Sequence, residues 1–220
     1  VGIPLPDWLR DRLLHVGPEL LVLDKPAGLP VSARNGESLE RLLPALRMGK
    51  RRDPQPAHRL DADTAGCLVL GRTAPMLAHL NALFAARRVG KTYWAVLRRA
   101  LAAEDGVVEA PLRKVSTAAR GWRMEAHPAG DPARTAWRVL GRGEGTTLVE
   151  FRPETGRTHQ LRVHAAVLGA PILGDAKYGG GEGMLHLLAR EIILPDPDLR
   201  VRAPVPDHMR AAVAACGDVT

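Results

Sequence analysis

Five short segments commit this chain to a sheet: Leu20–Leu23, Cys67–Leu70, Tyr93–Leu97, Ala136–Leu140 and Thr147–Phe151. The first two are continuous apolar runs, the pattern of strands buried on both faces. The other three are rich in β-branched and aromatic residues at period two. Two helices stand out. One is expected from about Ala74 to Arg88, capped by Thr73, with Leu77, Leu80 and Phe84 on one face and Gly90 ending it. The other is expected from about His159 to Leu168, with Thr158 as N-cap, Leu161, Ala165 and Leu168 inward, and Gly169 and Pro171 beyond its end. Strand–helix–strand alternation of the Rossmann kind is scarce. The expected fold class is therefore α+β, with a mixed, largely antiparallel central sheet flanked by helices.

At 220 residues the chain is long enough to bury a core without staples. No repeat, low-complexity tract or long linker divides it, so one domain over residues 1–220 is expected, with residues 1–18 as a short N-terminal arm. Cys67 and Cys216 are its two cysteines, no Cys-x-x-Cys occurs, and both read as unpaired thiols in a reducing compartment. Val1 to Trp8 lacks the basic and apolar regions of a signal peptide. No apolar run approaches the ~20 residues that span a bilayer. A cytoplasmic protein, free of membrane and monomeric, is expected.

The formal net charge is +7, and only five of the 31 Lys and Arg residues are lysines. A guanidinium binds phosphate bidentately and stacks on bases, which makes nucleic acid the leading partner class. The densest positive run, Arg47–Asp53, is flanked by Gly49 and Pro54 and reads as an exposed loop.

Two segments hold residues suited to chemistry. The first is His58-Arg59-Leu60-Asp61-Ala62-Asp63-Thr64-Ala65-Gly66, ahead of the apolar run at Cys67. A carboxylate there can serve as nucleophile, general base or metal ligand. The same residues also fit a plain turn, in which Asp and Thr bond the local backbone and Gly66 supplies an unusual angle. The second is Gly156-Arg157-Thr158-His159-Gln160-Leu161-Arg162-Val163-His164, which opens the second helix. A helix N-terminus with Arg and His attracts anions. Arg162 falls about 100° around from Leu161, at the edge of the core. An ordinary amphipathic helix with solvated arginines is the simpler alternative.

Other chemistries find little support. His159 and His164 are five apart, off a shared helix face, and no His-Glu-x-x-His occurs, so no metal is expected. Ser32, Ser38 and Ser116 are the only serines, and none lies in a Gly-x-Ser-x-Gly elbow. Gly179-Gly180-Gly181 reads as a flexible turn. What remains is a carboxylate, arginines and aromatics on a basic chain. Chemistry on a base in structured RNA needs the nucleotide turned out and held against aromatic or apolar side chains. Tyr93, on a period-two segment, can project from its strand to do so, or can serve as a core tyrosine.

These residues resemble the pseudouridine synthases of the RluA type. Leu23-Asp24-Lys25-Pro26-Ala27-Gly28-Leu29-Pro30-Val31 is similar to the family's first motif. His58-Arg59-Leu60-Asp61 with Thr64 and Gly66 is similar to the second, which holds the catalytic aspartate, and Lys91-Thr92-Tyr93 to its Lys-x-Tyr segment. Gly156 to His164 is similar to the third motif; Pro171-Ile172-Leu173-Gly174-Asp175 with Tyr178-Gly179-Gly180, then Ala203-Pro204-Val205-Pro206, follow in order. Ala65 stands where the family usually has Ser, and Ser32 where His is common. No segment before Glu19 matches the small S4 domain of some relatives, so recognition is expected from the catalytic domain itself.

The resemblance implies isomerisation of uridine to pseudouridine in ribosomal or transfer RNA, a redox-neutral reaction needing no cofactor or metal. Asp61 would attack the uridine or abstract a ribose proton. Arg162 would pair with Asp61, Tyr93 would stack on the uracil, and Arg59, taken as sharing a strand face with Asp61, would displace the base or fill its place. His58, Thr64, Arg157, His159 and Gln160 are the expected RNA-binding residues. A non-catalytic RNA-binding or ribosome-assembly protein on the same fold is the rival reading, and an RNA hydrolase a third.

Overall fold

The two continuous apolar runs lie in strands without one exposed residue, Leu20–Lys25 and Ala65–Gly71, because neighbouring elements cover both faces of the pleat. The computed structural model describes residues 4–118 and 121–217. Its strands in chain order are β1 (Leu13–Val16), β2 (Leu20–Lys25), β3 (Gln55–Pro56), β4 (Ala65–Gly71), β5 (Gly90–Leu97), β6 (Asp105–Glu109), β7 (Leu112–Thr117), β8 (Gly121–Ala126), β9 (Arg134–Gly143), β10 (Thr146–Pro153), β11 (Leu187–Pro195) and β12 (Asp198–Arg202). The helices are α1 (Asp7–Arg10), α2 (Leu39–Leu42), α3 (Ala74–Ala85), α4 (Gln160–Val167) and α5 (Asp207–Ala215). The five strands read from sequence fall in β2, β4, β5, β9 and β10, and the α+β class with a mostly antiparallel sheet is the one observed. No helix among the described residues is long and apolar enough to cross a membrane.

The described residues divide into two compact units. The first holds the residues up to Lys91 and Ala189–Pro204, and the second holds Thr92 to Leu188 and those from Val205 on. In the first unit β1, β2, β4 and β11 lie side by side in that order, with β12 on β11 and β3 on the end of β4. β2 runs antiparallel to β4, from Leu20 opposite Gly71 to Lys25 opposite Gly66. Gly66 has a φ of 110°, and a Cβ there would come within 2.3 Å of the Ala189 carbonyl oxygen, so the mouth of β4 accepts glycine alone. α3 is capped as expected: the Thr73 hydroxyl accepts from the Met76 N–H at 3.3 Å, and Leu80 and Leu83 are buried. It stops earlier than Gly90. The chain turns at Arg87, in the left-handed region with φ 56°, and Gly90 already opens β5.

In the second unit β5, β10, β9 and β6 lie in that order, all antiparallel, and β7 and β8 form a separate hairpin that the sequence reading missed. Ala95, Leu97, Val149 and Phe151 of the sheet pack with Leu161 and Ala165 of α4 and with Ile172. Val163, also on α4, packs with Leu112 and Met124 of the hairpin. Helix α4 is thus covered from two directions, and every residue from Gln160 to Ala165 is buried. Two expectations fail here. Thr158 is not the cap, since the cap position is His159 with φ 54° and no capping side chain. The Gln160 side chain reaches back to the Arg157 N–H instead, at 3.0 Å. Nor is Gly179-Gly180-Gly181 a loose turn. Gly180 donates to the Asp175 carbonyl at 2.7 Å and accepts from the Gly174 N–H at 3.1 Å, and a Cβ on it would meet the Ile172 carbonyl oxygen at 1.7 Å. The backbone is closed on itself there, around Asp175.

Candidate active site

Asp61 sits half-buried at the first position of a turn, where its carbonyl accepts the Thr64 N–H at 3.1 Å. Residues 59–61 are therefore not a strand, and the shared strand face expected for Arg59 and Asp61 does not exist; Arg59 is exposed. The tight turn is forced by what surrounds it. Leu60 and Thr64 are buried on either side, and Gly66 presses the chain against Ala189. His58 fixes the approach: its Nε2 accepts the Val69 N–H at 3.0 Å and its ring stacks on Phe84 with centroids 4.5 Å apart. Burial, aided by the Lys91 charge, pushes the His58 pKa down to about 3, so the imidazole is neutral.

Lys25 clamps the turn from below. It has no exposed surface, and its Nζ donates to the carbonyls of Pro26 at 2.8 Å, Leu29 at 2.7 Å and Ala62 at 2.8 Å. Those three bonds use all the donors an ammonium has. The Ala62 carbonyl also accepts the Gly28 N–H at 2.9 Å, so the segment from Lys25 to Gly28 is folded onto the residue after Asp61. Burial pushes the Lys25 pKa down to about 8, against the pull of the Asp63, Asp61 and Asp24 charges, and the ammonium persists at neutral pH. No role for Lys25 is legible in the sequence. Its signal was present only as membership of the first motif, because a lysine is ordinarily a surface residue.

Replacing Lys25 by Met should lower stability by about 1–3 kcal/mol, since three carbonyls lose their donor inside the protein. If Lys25 only props the fold, turnover per folded molecule will be unchanged; if it positions the Asp61 turn, kcat will fall while RNA affinity holds. Urea unfolding and a kcat-against-KM comparison separate these outcomes, and the second is expected.

In the other unit, Arg162 is buried on α4 and held by Asp175, whose side chain is fully buried. Nε donates to Oδ2 and Nη2 to Oδ1, both at 2.8 Å, a bidentate pair. Asp175 Oδ1 also accepts the N–H groups of Lys177 and Tyr178, each at 3.2 Å. Arg162 Nη1 lies 3.3 Å from His159 Nε2, and His159 Nδ1 lies 2.8 Å from Tyr178 Oη. A guanidinium only donates, so Nε2 is the acceptor and the proton of the neutral ring sits on Nδ1. The Tyr178 oxygen then accepts from His159 and from the Met124 N–H at 3.0 Å. Asp175 and Tyr178 stand within a sequence motif, but nothing local to it marks them as partners of Arg162 and His159.

Gln160 is occupied on every side. Its Oε1 accepts from Thr155 Oγ1 at 2.7 Å and from the Arg157 N–H, and its Nε2 donates to the Arg134 carbonyl at 3.1 Å and to Thr135 Oγ1 at 2.9 Å. His164 continues the network, with Nδ1 at 2.9 Å from Thr135 Oγ1 and Nε2 at 3.1 Å from the Ala110 carbonyl. Arg157, half-buried, donates from Nε to the Pro132 carbonyl at 3.2 Å. Tyr93 is partly buried against the sheet core of this unit. The expected site residues thus fall into two sets. His58, Arg59, Asp61 and Thr64 are brought together in the first unit, and Tyr93, Arg157, His159, Gln160 and Arg162 lie in the second. Among the described residues no three His, Cys, Asp or Glu side chains are grouped to hold a metal ion.

Residues 19–167 match the family model described as RNA pseudouridylate synthase. The chain is 45% identical over 208 residues to an uncharacterized RNA pseudouridine synthase of Zymomonas mobilis, covering 90% of this chain and 95% of that one. It is 34% identical to the ribosomal large subunit pseudouridine synthase C of Vibrio cholerae, over 93% of this chain and 69% of the relative. Among solved structures it is similar to the human RNA pseudouridylate synthase domain containing 4, with a TM-score of 0.82 at 28% identity, covering 95% of this chain and 94% of that one.

Proposed function

The chain belongs to the RNA pseudouridylate synthase family, of the RluA type, and from that premise we propose that Asp61 carries the isomerisation of specific uridines in ribosomal RNA. The family's members are isomerases acting on RNA, and this chain is an enzyme of that class. The observation that carries the assignment to Asp61 is its turn, clamped at the next residue by a fully buried ammonium and by the Gly28 N–H. In the reaction the bond from the ribose C1′ to N1 breaks and one from C1′ to C5 forms. The proton on C5 leaves and N1 ends with a proton, so no electrons are gained or lost. Attack on the uridine and removal of a ribose proton both require a carboxylate oxygen held still relative to the nucleotide.

Tyr93, stacking on the uracil, and Arg162 complete the proposed catalytic set, on the strength of the motifs they stand in. Arg59 and Arg157 supply charge to the RNA, Arg59 from an exposed position. His58, Thr64 and Gln160 serve the site by holding it, since they bond the Val69 N–H, the Asp61 carbonyl and the Thr135 hydroxyl in turn. Ribosomal RNA is preferred over transfer RNA because of the name carried by the Vibrio relative. We further propose a cytoplasmic monomer; two buried cysteines free of disulfide suit a reducing compartment.

Pseudouridine mapping of total RNA from cells with and without the gene tests this reading. One or a few positions in large-subunit ribosomal RNA should lose their pseudouridine. Loss confined to transfer RNA would move the substrate. Loss from no RNA would favour a non-catalytic RNA-binding protein on the same fold.

A further inference from the structure

Trp122 on β8 is 39% exposed, and no other aromatic of its hairpin accompanies it. Lys177 Nζ lies 4.1 Å from the centre of its ring and donates to the Trp122 carbonyl at 2.8 Å, and Lys114 Nζ lies 4.9 Å from the ring. The indole also meets His159, with centroids 5.0 Å apart and planes inclined by 32°. His159 stands edge-on to Tyr178 at 5.6 Å, and the Arg162 guanidinium lies over Tyr178 at 5.2 Å. A row of ring contacts therefore runs from solvent at Trp122 to the buried Arg162–Asp175 pair.

We propose that Trp122, Lys114 and Lys177 bind a single-stranded nucleotide flanking the target uridine, its base on the indole and its phosphates on the two ammoniums. This rests on the reading of the chain as an RNA pseudouridine synthase and adds a contact to it. An exposed indole offers a π-face that any base can use, which suits a neighbour recognised by position more than by identity. The ammoniums parked on the ring carry flexible stems, and a phosphate offers each a full negative charge in place of a ring quadrupole. A base seated at Trp122 would be tied by contacts through His159 to Arg162, so binding of the flanking strand and placement of a catalytic residue share one set of rings.

The probe is an oligouridylate of about eight nucleotides, within the range of about 4–16 that single-strand sites cover. In the wild type it should quench indole fluorescence. Trp122→Leu, which keeps apolar contact with His159, should lose that quench and bind at least about fivefold more weakly, while Trp122→Phe should keep most of the affinity. Lys114→Ala and Lys177→Ala should each flatten the dependence of log K on log salt by about 0.7. Wild-type affinity in Trp122→Leu, or an unchanged salt slope in both lysine variants, overturns the proposal. Asp61→Asn should bind the probe as the wild type does. Pseudouridine formation persisting in that variant would defeat the catalytic reading and leave the Trp122 measurement standing.

Discussion

Exchanging Asp61 for asparagine should bring pseudouridine formation to background, a fall of at least about 10⁴-fold, with the protein still folded and still bound to RNA. The exchange is nearly isosteric, and the bonds that shape the turn run to the main-chain carbonyls of Asp61 and Ala62. Thr64, Gly28 and Lys25 can keep making them. What disappears is the negative oxygen: an amide neither attacks carbon nor takes up a proton at useful rates near neutrality. The reaction expels the C5 proton, so tritium released from C5-labelled uridine in RNA measures it directly, and filter binding measures the retained complex. Turnover within tenfold of wild type would remove Asp61 from the mechanism.

The strands of the core were legible because burial on both faces leaves an unbroken apolar run, as in Leu20–Leu23 and Cys67–Leu70. Helix α3 was legible at its start because Thr73 caps it through three residues of local chain. What stayed hidden depends on partners far apart in sequence. Lys25 looks like a surface charge until its three carbonyls, one of them 37 residues away, are in place. Gly180 looks flexible until the Ile172 carbonyl closes on it. The strand periodicity applied to Arg59 and Asp61 failed because the chain turns there to reach Thr64. Gln160 was expected to bind RNA only through the motif it stands in, and the structure shows both ends of its amide bonded inside the unit. The order of the motifs pointed to Asp61 and Arg162; which group would hold each of them in place was a matter of tertiary contact.

Asp175 illustrates that distinction most sharply, and removing it should have the second large effect. Asp175→Ala is expected to cost about 3–5 kcal/mol of stability, because it takes the bidentate carboxylate away from the buried Arg162 guanidinium. It also removes the side-chain acceptor of the Lys177 and Tyr178 N–H groups, while the Tyr178 N–H keeps the main-chain carbonyl of residue 175 at 3.3 Å, and so loosens the turn that Gly180 closes. Arg162→Ala should be of similar size, with the charge left on Asp175. If the pair served the fold alone, removing both charges together would repair both stability and activity. Arg162→Met combined with Asp175→Asn tests this, since Met fills the aliphatic path of the arginine and the Asn oxygen can still receive the two N–H groups. The combined variant should regain at least half of the stability lost by Asp175→Ala, because a missing buried pair costs less than a broken one. Tritium release should remain at background even so, because the proposed role of Arg162 requires a cation. A combined variant that is both stable and active would reduce Arg162 to a structural residue.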